Sequence, residues 1–278
     1  MKILIPRNKR QKLASKIAAA SFIKQGILPR NIIFIDFDDC PMLVEQVGKK
    51  YLRNGKIKIF KNDLQSFTLL RFFGPEYLGF KDLALIIDPD VFAIKNPKLI
   101  LNEINDAVSV ACTFYDGKPR SEVMLVNCKK INWNFKNLLS DLFKLKIDYK
   151  DLINLDFDKS LKIKKIDKSF NSHDKVNSDT IFLHTTNRIT QPWKEGILID
   201  FERHISKKYL FKEKIKKIFG MKYDYNIFQN TYQRHPEKDV INKFKEFYYY
   251  AKKINFINEN EINLSIRDNF FSKNFLDN

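Results

Sequence analysis

Two aspartates with one residue between them, Asp88 and Asp90, close the apolar run Ala84-Leu85-Ile86-Ile87. Carboxylates are hard oxygen ligands, and a pair at i and i+2 can share one divalent cation that in turn holds a diphosphate. A short continuous apolar run is the pattern of a strand buried on both faces. Pro89 has no N–H for a sheet ladder, so the strand ends where the acids begin. The acids therefore sit at a strand's carboxyl end, the edge at which open α/β sheets bind ligands. The bland alternative is a strand-end turn in which Asp88 caps a backbone amide. His184 has a similar placement, because it follows the apolar Thr180-Ile181-Phe182-Leu183. Its imidazole would be a ligand rather than a core histidine. His173, in the loop Asn171-Ser172-His173-Asp174, is a further candidate, whereas His204 and His235 fall in basic helical surroundings and read as surface residues.

The DxD run belongs to a set of segments that keep a fixed order. Ser66-Phe67-Thr68-Leu69-Leu70-Arg71-Phe72-Phe73-Gly74-Pro75-Glu76 precedes it, and Val123-Met124-Leu125-Val126-Asn127 and Phe182–Trp193 follow it. Together these segments resemble glycosyltransferase family 8 and related GT-A enzymes such as glycogenin and bacterial lipopolysaccharide galactosyltransferases, over residues 1–200. The resemblance implies that Asp88, Asp90 and His184 form a metal triad and that Arg71 faces the nucleotide sugar. It also implies Mn²⁺ or Mg²⁺ as cofactor, a UDP-sugar as donor and retention at the anomeric carbon. Mixed carboxylate and imidazole ligation suits Mn²⁺ better than Ca²⁺.

The chain also departs from the family pattern. The family's glycine in the late segment is Asn187, its phosphate-binding lysine is Gln191, and the segment is one residue longer. Arg188 or Lys194 would supply the missing charge. Arg120-Ser121-Glu122 stands where the family has N-S/A-G, which leaves the donor sugar open. An inverting enzyme would instead use Asp174, Asp116 or Glu122 as general base. Asn187 and Gln191 also motivate a second reading, a catalytically inactive GT-A domain. A further acidic run, Ile32-Ile33-Phe34-Ile35-Asp36-Phe37-Asp38-Asp39-Cys40, is similar to the strand of haloacid dehalogenase phosphatases. Its distance from the amino terminus, Cys40 in place of Thr or Val and the lack of a late GDxxxD-type pair count against that enzyme. These acids read as a strand-end turn and the cap of a helix that begins near Pro41.

Alternating strands and helices must position these residues. Strands are expected near 2–6, 32–36, 57–60, 83–87, 108–113, 122–127 and 180–184, and helices near 9–25, 41–53, 65–73 and 132–145. That order predicts a mainly parallel α/β sheet with helices on both faces, which is the GT-A expectation. The first strand would end at Pro6-Arg7-Asn8, which brings Pro6 and Asn8 to the edge that meets a nucleotide base. Residues 146–178 read as loop and short strand. Trp193 after Pro192 reads as a packing anchor, and Phe244, Phe247 and Tyr248-Tyr249-Tyr250 as a packed aromatic face. The division is a catalytic domain at 1–205 and a basic, aromatic-rich helical region at 206–278.

Composition sets the outer limits. At 278 residues with 44% hydrophobic content, the chain can bury a substantial core. Cys40, Cys112 and Cys128 are an odd number with no CxxC pair, which argues against a disulfide framework or a thiolate zinc site and reads as reduced thiols in a chain expected to be cytoplasmic. No window reaches the eighteen apolar residues of a membrane span. Ile17–Ile23 follows basic residues as a signal peptide would, yet its helical spacing marks a mature first helix. Fifty Lys and Arg against 33 Asp and Glu give a net charge of +17, which calls for an acidic partner. A nucleic-acid-binding protein is the rival class, but no helix-turn-helix, zinc or RRM signature supports it. The basic residues concentrate in Lys207–Lys222, where Leu210, Phe211, Ile215, Ile218 and Phe219 recur at helical intervals. Such a helix can lie on the inner face of an anionic membrane beside a lipid-linked or glycan acceptor, or it can be an ordinary solvated face.

Overall fold

Alternate side chains of the first and third strands enter different cores, which is why the middle of both strands is a continuous apolar run. The structure, a computed structural model, describes residues 1–60, 63, 66–201 and 207–277. Its main sheet is built from β1 (Lys2–Arg7), β2 (Ile32–Asp36), β3 (Leu83–Ile87), β5 (Val110–Tyr115), β6 (Lys118–Asn127) and β7 (Ile163–Lys165). A smaller sheet holds β4 (Val91–Ala93), β8 (Ser172–His173) and β9 (Phe182–His184). The main sheet has the order β2-β1-β3-β6-β5-β7, and only β6 runs against the rest. The mainly parallel α/β sheet expected from the sequence is therefore present.

Leu4, Ala84 and Ile86 point into one core, with Leu69, Leu70, Phe72, Phe135 and Leu139. Ile3, Ile5, Leu85 and Ile87 point into the other, with Ala19 and Phe22. Helix α1 (Lys12–Lys24) covers that second face, and α2 (Phe135–Phe143) with α3 (Tyr149–Ile153) covers the first. The other side of α1 is also buried. Leu13, Ile17 and Ala20 meet Val240, Phe244, Phe247 and Tyr248 of α5 (Lys238–Lys253) and Ile262 of α6 (Glu259–Arg267). A helix packed on two sides needs apolar residues all round, which accounts for the Ile17–Ile23 run. Trp193 anchors this region as expected, fully buried and stacked on Phe244 at 5.1 Å. The remaining long helix, α4 (Lys207–Ile218), begins where the described residues resume. The 205/206 boundary and His204 lie outside them.

Several elements differ from expectation. The helix expected at 41–53 is a single turn, Pro41–Val44, because Gly48 takes a left-handed φ of 87° and Lys50–Tyr51 then pairs with Ile57–Lys58. The segment near Arg71 is a 3₁₀ helix, Ser66–Phe72, followed by the turn Gly74–Tyr77, while residue 65 lies outside the described set. Strand β6 is longer than 122–127 because it is half of a hairpin. Asp116 and Gly117, with φ of 52° and 75°, form its two-residue turn, and Tyr115 pairs with Lys118. The stretch 146–178 also contains α3, whose start Asp151 secures by accepting the N–H of Asp148 at 2.8 Å. Asp36 does not cap the next helix. It accepts two bonds from Arg7, at 3.0 and 2.9 Å, while Asp38 and Asp39 are exposed, so these acids converge on no common point.

Candidate metal and nucleotide-sugar site

The carboxyl ends of β3 and β9 open on a cavity of about 260 Å³, and the DxD acids form one wall of it. Strand β9 lies antiparallel to β4, with His184 opposite Val91, so the strand that follows the aspartates pairs with the one that presents the histidine. Single ligand atoms of Asp88, Asp90 and His184 lie within 4.8 Å of one another. His184 Nε2 is 3.3 Å from Asp90 Oδ1 and 3.8 Å from Asp88 Oδ2. Two carboxylates and one imidazole are a donor set that fits a divalent metal of the manganese type. Neutralising the pair of acids without a metal falls to Arg71 and His184.

Arg71 reaches the site from the 3₁₀ helix. Its Nε donates to Asp88 Oδ1 at 2.8 Å, its Nη2 to Asp88 Oδ2 at 2.5 Å and its Nη1 to Ser121 Oγ at 2.9 Å. Gly74 allows this close packing: a Cβ there would stand 2.8 Å from Leu4 Cδ1 and 3.0 Å from Ile86 Cδ1. Burial pushes the Asp88 carboxyl up, to about 6, against the downward pull of Arg71 and His184. Burial lowers His184, but Asp90, Asp88 and Glu122 more than reverse this and raise it to about 9.

Glu122 lines the same cavity from β6. Its Oε2 accepts from Asn171 Nδ2 at 3.2 Å and lies 3.4 Å from His173 Nε2. Burial works to raise its pKa, yet His173, His184 and Arg71 hold it well below the usual carboxylate range. The His173 ring is stacked on Tyr115 at 4.3 Å and stands edge-on to His184. His173 therefore joins the group around Glu122, and Glu122, His173 and His184 also bring ligand atoms within 4.8 Å of one another.

Arg188 and Gln191 of the late segment line the cavity, and the Arg188 guanidinium lies 5.9 Å from the Phe201 ring centre. Other residues singled out in the sequence do not line it. Lys194 is buried, 3.3 Å from Asp200 Oδ2 and 3.1 Å from the Tyr232 hydroxyl, and Arg10 reaches the same Asp200. Asn187 accepts from the N–H of Ile189 and donates its own N–H to Asp174. Asp174, with φ of 53°, accepts from Thr186 Oγ1 at 2.5 Å and from the Asn187 N–H at 3.1 Å, and lies 3.4 Å from His235 Nε2. It holds the loop after β9. His235 is accordingly buried at 3% exposure, not on the surface as its basic surroundings suggested, because the loop needs its ring against Asp174. Pro6 sits inside β1, opposite Ile35. Asn8 accepts from the Arg10 N–H and donates to the Asp63 carbonyl and to Ser66 Oγ, tying the β1 edge to the start of the Arg71 segment. Asp116 is the hairpin turn.

Sequence reasoning missed Gln11, Phe67, Thr68, Tyr149, Ile153 and Thr186, which complete the cavity wall. Tyr149 bonds Thr68 through their hydroxyls at 2.8 Å. The Asp148-x-x-Asp151 spacing at the start of α3 was the available signal for this wall.

No protein-family model matches the chain, and no curated protein matches it. Its fold is similar to several solved glycosyltransferase structures. One is the galactosyltransferase LgtC in complex with donor and acceptor sugar analogs, at 16% identity over 70% of this chain and 90% of that one, with a TM-score of 0.48. The apo form of mouse xyloside xylosyltransferase 1 is similar at 10% identity over 67% and 97%, TM-score 0.43. The apo form of the glycosyltransferase GlyE of Streptococcus pneumoniae TIGR4 is similar at 13% over 80% and 64%, TM-score 0.45. These are likenesses of chain path, and the functional reading rests on the cavity's own side chains.

Proposed function

We propose that the chain is a metal-dependent glycosyltransferase that moves a hexose from a nucleoside diphosphate sugar, UDP-linked, to a glycan or lipid-linked acceptor. The observation that carries this reading is the convergence of Asp88, Asp90 and His184 in one cavity, with Arg71 bonded to Asp88 behind them. Asp88, Asp90 and His184 would hold Mn²⁺ or Mg²⁺, which when bound would supply charge neutralisation for a departing diphosphate. The chain's own contribution is orientation. Arg71 fixes the Asp88 carboxylate, and a carboxylate has lone pairs enough to accept this fork and still serve as a ligand. Arg188 lines the cavity whereas Lys194 is enclosed with Asp200 and Tyr232, which favours Arg188 as the late cation beside the phosphates, next to Gln191.

Among the remaining acids considered for the chemistry, Glu122 lines the cavity, and Asp174 and Asp116 are engaged in a loop clamp and a turn. Glu122 is therefore the carboxylate assigned to the reacting sugar or to the acceptor hydroxyl. The same proposal places residues 206–278 as an extension on a catalytic domain of 1–205, at the inner face of an anionic membrane. No helix among the described residues is long and apolar enough to cross a membrane. The test is a thermal-shift series of UDP-hexoses and other nucleoside diphosphates with and without Mn²⁺, on the full chain and on Asp90→Asn. Metal-dependent stabilisation by UDP-sugars that Asp90→Asn abolishes is the expected result. The reading is overturned if no nucleotide shifts the melting temperature in the presence of the metal.

A further inference from the structure

Asn171 is fully buried at the junction of the two constellations and touches both. Its Nδ2 lies 3.2 Å from Glu122 Oε2 and 3.2 Å from Thr113 Oγ1, and its Oδ1 lies 2.9 Å from His184 Nδ1. The amide has one consistent orientation. An ionised carboxylate only accepts, so the face toward Glu122 must be the NH₂ group. Oδ1 is then toward His184 and accepts, which obliges Nδ1 to carry a proton. The ring's other nitrogen, Nε2, is the one turned to Asp90 and Asp88. A histidine that ligates a metal donates its second N–H to a partner that fixes tautomer and ring orientation.

From this geometry we propose that Asn171 is a positioning residue. Anchored by Glu122 and Thr113, it holds His184 with Nδ1 as donor and Nε2 facing the two aspartates, ready for a cation. The inference rests on the metal site proposed above and adds to it a residue outside the ligand set. It also gives Glu122 a second duty, since the charge that orients the amide belongs to a residue of the cavity wall.

Two measurements on the full chain separate the positioning role from the metal site. The first is the Mn²⁺ dissociation constant, read from free Mn²⁺ by electron paramagnetic resonance, for wild type, Asp90→Asn, Asn171→Leu and Thr113→Val. Loss of such an outer partner weakens metal affinity about 10–100-fold, which is the change expected for Asn171→Leu. Thr113→Val removes one anchor of the amide and leaves the other, Glu122, and the bond to His184 in place, so a smaller loss than that of Asn171→Leu is expected. The second measurement needs no metal: a slowly exchanging His184 Nδ1–H resonance should be present in the wild-type chain and lost in Asn171→Leu. Wild-type Mn²⁺ affinity in Asn171→Leu, beside its loss in Asp90→Asn, overturns the positioning role and leaves the metal site standing. Absence of Mn²⁺ binding by wild type overturns the metal site, and the Nδ1–H resonance then decides whether Asn171 holds the ring.

Discussion

At the scale of single residues, the site couples stability to chemistry through one buried ion pair. The Arg71 and Asp88 side chains are 4% and 9% exposed, so neither charge has water to fall back on. Removing one partner of such a pair costs about 3–5 kcal/mol, because the other is left buried and uncompensated. Arg71→Met should therefore lower the urea midpoint strongly, and Arg71→Met combined with Asp88→Leu should recover much of the loss. If the double variant is no more stable than Arg71→Met, packing rather than charge sets the cost. Metal dependence is consequently best tested at Asp90, whose loss leaves the Arg71 fork intact. Asp174 gives a pH-dependent case. Burial acts to raise its carboxyl, but His235, Thr186 and the Asn187 N–H hold it below its ordinary value of 3.8. Between the folded and unfolded values the unfolded chain binds more protons, so this contribution is present above about pH 4 and is lost as pH falls through the folded value. Asp174→Asn should lower stability at neutral pH by about 1–3 kcal/mol and flatten the acid limb of the stability profile. Urea midpoints followed from neutral pH into acid would show it, and an unchanged limb would leave the clamp without energetic weight.

At the scale of elements, the legible parts were those whose residues obey one period. β1, β3 and β9 announce themselves by a continuous apolar run, residues 3–6 in β1, all of β3 and Phe182-Leu183 in β9, and α1 because it is buried on two sides. The strand-end placement of the DxD acids and of His184 followed from those strands, whereas their grouping as a metal triad was what the family resemblance implied. The cavity's second wall could not. Tyr149, Phe67 and Thr68 lie on a 3₁₀ segment and a short helix, where too few turns exist for a periodic signal. Asp116-Gly117 was a readable hairpin signal that would have extended β6 and removed Asp116 from the catalytic candidates. Lys194 and His235 were misleading for a common reason: charge in the sequence suggested exposure or ligand contact, while the fold buries both side chains against the half-buried Asp200 and Asp174. Gly74 belongs to this scale too, because it lets the Arg71 segment lie on β1 and β3. Gly74→Ala would push a methyl against Leu4 and Ile86, costing about 1–3 kcal/mol by overpacking and moving the guanidinium off Asp88. Thermal melting and Mn²⁺ affinity measured together check this, and a change in neither would show that the core absorbs the methyl.

At the scale of the whole molecule, the +17 charge has to be matched to a surface. α4 and the turn after it offer one. Phe211 is 66% exposed, Ile218 78% and Phe219 72%, and Lys208, Lys212, Lys214 and Lys217 are exposed around them. Phe211 and Ile218 are seven residues apart, close to two full turns, and so share a face. Such a face combines the requirements of interfacial binding: apolar groups to insert, and lysines worth about 1 kcal/mol each near an anionic surface. The two contributions separate experimentally. Charge attraction weakens as the Debye length shrinks from about 10 Å at 0.1 M salt to 3 Å at 1 M, whereas insertion does not. Each large apolar side chain removed from water contributes about 1.5–3 kcal/mol. Phe211→Ser with Ile218→Ser, both at exposed positions where the fold loses little, should lower affinity for anionic vesicles by more than about tenfold at low salt. Cosedimentation with anionic and neutral vesicles at both salt concentrations is the measurement. The wild-type chain should pellet with anionic vesicles at low salt and release at high salt. Equal pelleting of the double serine variant would show that the aromatic residues take no part, and failure of the wild-type chain to pellet at low salt would return α4 to an ordinary solvated helix.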